Sequence, residues 1–204
     1  MLTVADTGPC RAAARAGDLV RAWAELIAAT GAAEPVLGPR GHGLRPAGPD
    51  GEPDGESATA GWHLMRAAGP DNRPEGWAAA LAWLRIGMSE WLLAQAVAHL
   101  QGRLTGGAPL IQQQLVRGGL ADAVIAQQEV LGVLTAPGGL AGRLASHVHA
   151  RLTQADRITL RLFGAGGFLA DGPGRVGHLS ELLADAYLDR DADRDAGPEP
   201  AARR

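Results

Sequence analysis

Gly107-Ala108-Pro109-Leu110-Ile111-Gln112-Gln113-Gln114-Leu115-Val116-Arg117-Gly118-Gly119-Leu120-Ala121-Asp122 is the stretch whose reading decides the fold. A turn at Thr105 to Gly107 leads into it, and the text then reads as a helix from Pro109 to about Thr135, with Leu110, Leu120, Val124, Leu131 and Leu134 as the expected buried set. Pro137, Gly138 and Gly139 end that helix. Working upstream, Pro74 is suited to open a long helix, Glu75 to about Leu104, because its missing N–H falls where a helix has no internal acceptor. Leu81, Leu84, Trp91 and Leu92 recur in it near helical spacing. Downstream, Leu140, Leu144, Val148 and Leu152 mark a third helix, Leu140 to Phe163, and a short fourth runs from about Val176 to Leu188. Three long antiparallel helices with short connections and one short helix predict an all-α, up-and-down bundle over residues 74–188.

Residues 1–34 read as an N-terminal helical segment. Asp18 is placed to cap a helix over Leu19 to Thr30, with Leu19, Trp23, Leu26 and Ile27 on one face and Gly31 as the stop. Residues 35–73 are rich in Gly, Pro, Asp and Glu and read as an irregular linker, interrupted by the apolar patch Trp62 to Met65. Residues 189–204 are charged and read as a disordered tail.

Composition narrows the function classes. All 19 basic residues are arginine, which excludes Schiff-base or pyridoxal chemistry on a resident lysine. The net charge of -3 is mixed in sign, without the basic stripe of a nucleic-acid binder. Cys10 is the one cysteine, so neither an internal disulfide nor a thiolate metal cluster is expected. No apolar run is long enough to span a bilayer and none reads as a secretory signal, so a cytoplasmic protein without membrane partners is the expectation.

The Gly107–Asp122 stretch, taken with Arg103, resembles the C-terminal helical domain of acyl-CoA dehydrogenases, whose signature runs Arg, a short Gly turn, Pro, an apolar residue, Gln, then Leu-Ala-Asp. Gly87, sixteen residues before Arg103, and Phe163-Gly164-Ala165-Gly166-Gly167-Phe168 followed by Asp171 and Pro173 extend the match over roughly Trp77 to Leu188. The resemblance implies a domain that builds an oligomer core and reaches toward a neighbouring subunit's FAD. Arg103 and Gln114 would contact its adenine-diphosphate end, and Gly164-Ala165 would let backbone approach it. Gly106 stands where the family has an aromatic, and Arg161 where it has a Gln before the Gly turn. The second interhelical connection is shorter than the family's.

The family's catalytic Glu follows a Tyr after the last short helix, or in a minority sits at the start of the first bundle helix. These positions fall on Leu188, after Tyr187, and on Trp77, neither of which can take a proton. A slip of one residue would bring Asp189 to the first position, and a slip of two Glu75 to the second. No catalytic residue is therefore assigned. A complete family member is nearly twice this long and carries a middle domain that holds the flavin ring. The text from Trp23-Ala24-Glu25-Leu26-Ile27 to Gly41-His42-Gly43-Leu44 resembles the helix and Gly-rich turn of the family's N-terminal domain, as in an internally deleted paralogue.

The resemblance thus implies a truncated, degenerate dehydrogenase-like subunit in specialised metabolism. It would work with a flavin-bearing homologous partner, or self-associate, on acyl groups bound to coenzyme A or acyl carrier protein. FAD is expected at a shared interface and not in the isolated chain. The alternatives are a stand-alone cyclase or isomerase using a cavity in the bundle, and a structural or regulatory binding protein.

Other features read more plainly. The Gly164–Gly167 run follows a helix and is a turn before it is a phosphate loop. His147 and His149 fall on different sides of a helix, a poor metal pair, and a solvated or capping role is expected for both. Arg143, His147 and Arg151, with Arg157 and Arg161, make the third helix cationic. The plain reading is a solvated face, and the functional one a dock for an acidic carrier protein or for coenzyme A phosphates. Trp77, Trp83 and Trp91 read as packing, with an aromatic-lined ligand cavity as the alternative, and Glu90, His99 and Glu129 as cavity groups or solvated ones.

Overall fold

The computed structural model describes residues 4–47, 56–59, 61–169 and 171–188. Helix α1 spans Val4–Arg15 and α2 spans Leu19–Thr30. The α2 boundaries follow the sequence reading: Asp18 accepts a hydrogen bond from the Arg21 N–H, and Gly31 closes the helix at φ 65°. Helix α1 was not expected. Its buried face is Thr7, Cys10, Ala13 and Ala14, with no large hydrophobe to mark a period. Small residues there allow close approach to the long helix α3, Trp77–Gln101. A Cβ added at Gly87 would lie 2.6 Å from the Arg11 carbonyl oxygen and 2.7 Å from the Ala14 Cβ. Arg11 adds an ion pair with Glu90 and sits over the Trp83 ring.

Residues 35–73 are not an irregular linker throughout. Strands β1 (His42–Pro46), β2 (Glu56–Thr59) and β3 (Trp62–Arg66) form an antiparallel sheet in the order β1-β3-β2. Leu44 pairs with Leu64, and Pro46 with Trp62. What makes the sheet stable is burial: Val36, Leu44 and Trp62 join Cys10, Trp23, Leu26, Trp77, Leu81, Leu179 and Tyr187 in one apolar cluster. That cluster draws on the stretches read as N-terminal segment, linker and bundle alike. At its centre Trp23 meets Trp62 and Trp77 edge-on at 5.3 and 5.8 Å between ring centroids, and Trp77 meets Tyr187 at 5.2 Å. The buried Tyr187 hydroxyl accepts from the Leu44 N–H at 2.8 Å and faces the Val36 carbonyl at 3.2 Å.

The molecule is mostly helical, and the bundle has the expected order. After α3, strands β4 (Leu104–Thr105) and β5 (Ala108–Pro109) make a tight hairpin, with Gly106 and Gly107 at φ 60° and 82°. Two consecutive left-handed residues are the requirement of such a two-residue turn. A 3-10 turn, Leu110–Gln112, precedes α4 (Gln114–Thr135), and α5 (Gly142–Leu162) and α6 (Gly174–Tyr187) follow. Pro74 does not open α3: its carbonyl accepts from the Trp77 N–H, and the helix begins at Trp77. Helix directions follow from paired contacts. Ser89 with Gln127 and Gly119 with Leu162 set α4 antiparallel to α3 and α5, while Arg157 with Glu181 and Arg85 with Ser180 set α6 antiparallel to α5 and α3.

The expected buried face of α4 is met in part: Leu131 and Leu134 are half-buried and pack against the core. Ala123, Ala126, Gln127 and Val130 are buried, whereas Val124 is 41% exposed, because small residues carry the contact with α3 and α5. Leu144 on α5 is likewise 44% exposed, although Val148 and Leu152 are buried as expected. No helix among the described residues is long and apolar enough to cross a membrane. The tail read as disordered, residues 189–204, lies outside the described residues.

Candidate functional site

Chain direction brings the residues singled out in the sequence to one end of the bundle. Arg103 follows α3, Gln114 opens α4, and Gly164-Ala165 follows α5. Arg103 approaches His99, whose ring lies 5.3 Å from that of Phe163, the residue before Gly164. All four are exposed, and a Cβ built at Gly164, which sits at φ 58°, would meet nothing within 4 Å. A guanidinium fork, a side-chain amide and open backbone suit the periphery of a dinucleotide and supply nothing to enclose a ring.

At the opposite end stand the two positions where the family resemblance places a base. Trp77 at the start of α3 and Tyr187 at the end of α6 are in ring contact, and Leu188 follows directly. Trp77 is buried, with no hydrogen-bond partner on its Nε1 among the described residues.

Between the two ends lies a feature that sequence reading missed. Arg85 is fully buried in the middle of α3. Its Nε donates to Ser180 Oγ at 3.0 Å and its Nη2 to Thr153 Oγ1 at 2.8 Å. Its Nη1 donates to the His149 carbonyl at 3.2 Å and to His149 Nδ1 at 3.0 Å. Because guanidinium only donates, Nδ1 must be the acceptor, which leaves the imidazole proton on Nε2, 3.0 Å from the Ala78 carbonyl. His149 is thus a neutral core histidine, neither solvated nor capping. Burial first, and then the Arg85 charge, lower its pKa to about 3.

Ser180 in turn donates to Asp156 Oδ2 at 2.9 Å. Burial raises the Asp156 carboxyl to about 6, against the opposing pull of Arg85, Ser89 and Ser180. Ser89 faces the carboxylate without closing a bond of normal geometry, so Oδ1 is left without a partner, and Ser89 accepts from Gln127 at 3.0 Å. The network therefore ties α3, α4, α5 and α6 together. An arginine within the apolar run Leu81–Met88 was the signal for it.

Beside the network, α5 and α6 border two grooves. The first, about 690 Å³, is lined by His149, Thr153, Arg157, Ile158, Arg161 and Leu188 among others. The second, about 490 Å³, shares Arg157 and Arg161 and adds Leu160, Leu169, Arg175 and His178. The cationic face expected on α5 is partly neutralised: Arg151 pairs with Glu129, and Arg157 with Glu181 at 2.7 Å. Among the described residues, Arg161 and Arg175 meet no carboxylate at ion-pair distance. Of the remaining polar candidates, Glu90 is held by Arg11 and His99 meets the Phe163 ring at a tilt. Among the described residues no cluster of His, Cys, Asp and Glu could hold a metal ion. Burial pushes the Cys10 thiol up to about 12, which keeps it protonated and unreactive.

No protein-family model matches the chain, and no curated protein matches it.

Proposed function

We propose that this chain is a degenerate acyl-CoA dehydrogenase-like subunit that acts, with a flavin-bearing partner, on acyl thioesters of coenzyme A or carrier protein in specialised metabolism. What carries the reading is a spatial coincidence between residues far apart in sequence. Trp77 and Tyr187, at and beside the alternative base positions of the family, are in ring contact at 5.2 Å. Arg103, Gln114, Gly164 and Ala165, the residues that would touch FAD, lie together at the other end of the same bundle.

On this reading a partner supplies the flavin as hydride acceptor, together with the base, since Leu188 and Trp77 can remove no proton. Arg103 and Gln114 lend donors to the adenine-diphosphate end at a shared interface. The test is to purify the chain alone and with a co-expressed full-length homologous dehydrogenase, then to measure flavin absorbance and acyl-CoA oxidation. The chain alone should hold no flavin and oxidise nothing. In the complex, Arg103→Ala should weaken flavin retention about tenfold, the value of one charge-assisted contact. Stoichiometric flavin in the isolated chain, or oxidation by it at an ordinary enzymatic rate, would overturn the reading.

A stand-alone non-redox catalyst is the second reading. The observation that favours it is that His149 and Thr153 belong both to the buried network and to the wall of the α5–α6 groove.

A further inference from the structure

Of the two grooves beside α5 and α6, the one between the end of α5 and the first two turns of α6 is the more apolar. It encloses about 490 Å³, within the roughly 300–1,000 Å³ of small-molecule sites. Its floor is flat because two glycines flank the large side chain in it. A Cβ added at Gly177 would lie 2.7 Å from Leu160 Cδ1, and one at Gly167 would lie 2.8 Å from the Leu160 carbonyl oxygen. Leu169 also lines the groove and is 65% exposed, so apolar surface stands open to solvent there.

The charge around this apolar floor is one-sided. Arg157 and Glu181 neutralise each other through hydrogen bonds at 2.7 and 3.2 Å. Arg161 on α5 and Arg175 on α6 line the same groove, and among the described residues neither meets a carboxylate at ion-pair distance. A surface that joins bare leucine to two unpaired cations is matched by a ligand that joins an apolar body to an anion. A carboxylate suits two guanidinium groups, since it has acceptor sites for both and arginine presents its donors in a planar fork. A flat floor is covered best by a flat body, and guanidinium groups at its border also pack against ring faces.

We propose that this groove binds an aromatic carboxylate, with its ring on Leu160 and Leu169 and its carboxylate between Arg161 and Arg175. The site stands on these side chains and owes nothing to the dehydrogenase reading.

Isothermal titration of the full chain with cinnamate, cinnamamide, acetate and octanoate separates the contributions of ring, charge and shape. Cinnamate should bind most tightly of the four: the amide keeps the ring without the charge, acetate the charge without the ring, and octanoate the charge with a flexible chain. Arg161→Gln and Arg175→Gln should each weaken cinnamate binding about tenfold, as expected for one lost charge-assisted contact, and leave cinnamamide binding unchanged. Leu169→Ser should weaken cinnamate and cinnamamide alike. All three side chains are exposed, so none of these changes threatens the fold.

The proposal falls if cinnamate does not bind, if the double arginine variant binds it as the wild type does, or if cinnamamide binds equally well. Octanoate binding as tightly as cinnamate would overturn the aromatic class. A flavin-bearing active complex whose chain shows no titration would remove the site and leave the dehydrogenase reading, whereas titration by a chain that forms no such complex would do the reverse.

Discussion

Two interiors of this molecule hold the same helices by different means. Where α2, the sheet and the ends of α3 and α6 meet, Trp23, Trp62, Trp77 and Tyr187 pack edge to face in a core with few polar groups. Two turns along α3, the space between four helices is filled by Arg85, Ser89, Gln127, His149, Thr153, Asp156 and Ser180 in hydrogen-bonded contact. An aromatic cluster gains free energy from area and tolerates small shifts. The polar set gains little net free energy over an apolar filling but is satisfied only in one arrangement of α3, α5 and α6. The comparison assigns stability mainly to the first interior and helix register to the second.

The largest test of that assignment is Trp23→Ala. It should cost about 3 to 5 kcal/mol in denaturant unfolding, because it empties the contact point of Trp62, Trp77 and Tyr187. A loss under about 1 kcal/mol would place the stabilising core elsewhere.

The polar interior should reveal itself through pH. His149 is held below its ordinary 6.5, to about 3, so the unfolded chain binds more protons between those values and stability falls as pH drops through that window. Asp156 is raised from 3.8 to about 6, so the folded chain binds more protons there and its contribution is lost as pH rises through 6. The two slopes oppose one another between about 4 and 6 and leave the wild type nearly flat. Asp156→Asn removes one of them. The variant should lose about 1.4 kcal/mol per pH unit on acidification across that window, read from urea midpoints at a series of pH values. A variant as flat as the wild type would show that burial does not lower the His149 pKa.

The smallest effect belongs to α4, whose outer face carries Leu115 at 90%, Val124 at 41% and Ile125 at 54% exposure. Ile125→Ser should change unfolding free energy by less than about 0.5 kcal/mol. If the bundle self-associates through this face, the alternative to a separate partner that the resemblance implies, light scattering of the variant should show a smaller species. An unchanged mass would remove α4 from the interface.

What the sequence disclosed follows the size of the residues involved. The ends of α2 were legible from Asp18 and Gly31, and the bundle order from Pro109, the Pro137-Gly138-Gly139 break and the Leu-Val spacing of α5. Helix α1 was hidden because Cys10, Ala13 and Ala14 bury little area each, and on α4 Val124 was placed inward although Ala123 and Ala126 make the close contacts. The sheet was hidden by its Gly- and Pro-rich surroundings, although Trp62 marked its centre. At the proposed site, Arg161 was legible as one cation of a face. Its partner Arg175 was not, because only the antiparallel course of α6 brings it across the groove.

The Tyr187 hydroxyl also fixes an order of events during synthesis. Its bonds to Leu44 and Val36 span 143 and 151 positions of chain. The sheet and α2 therefore leave the ribosome with a large part of their covering still untranslated, and they complete their packing only when α6 has emerged. Contacts of such separation are reached slowly, since the intervening loop must be closed before any of them is rewarded. Until then, Trp23, Trp62 and Leu44 present a nascent apolar surface, the kind of transient species that holding chaperones engage.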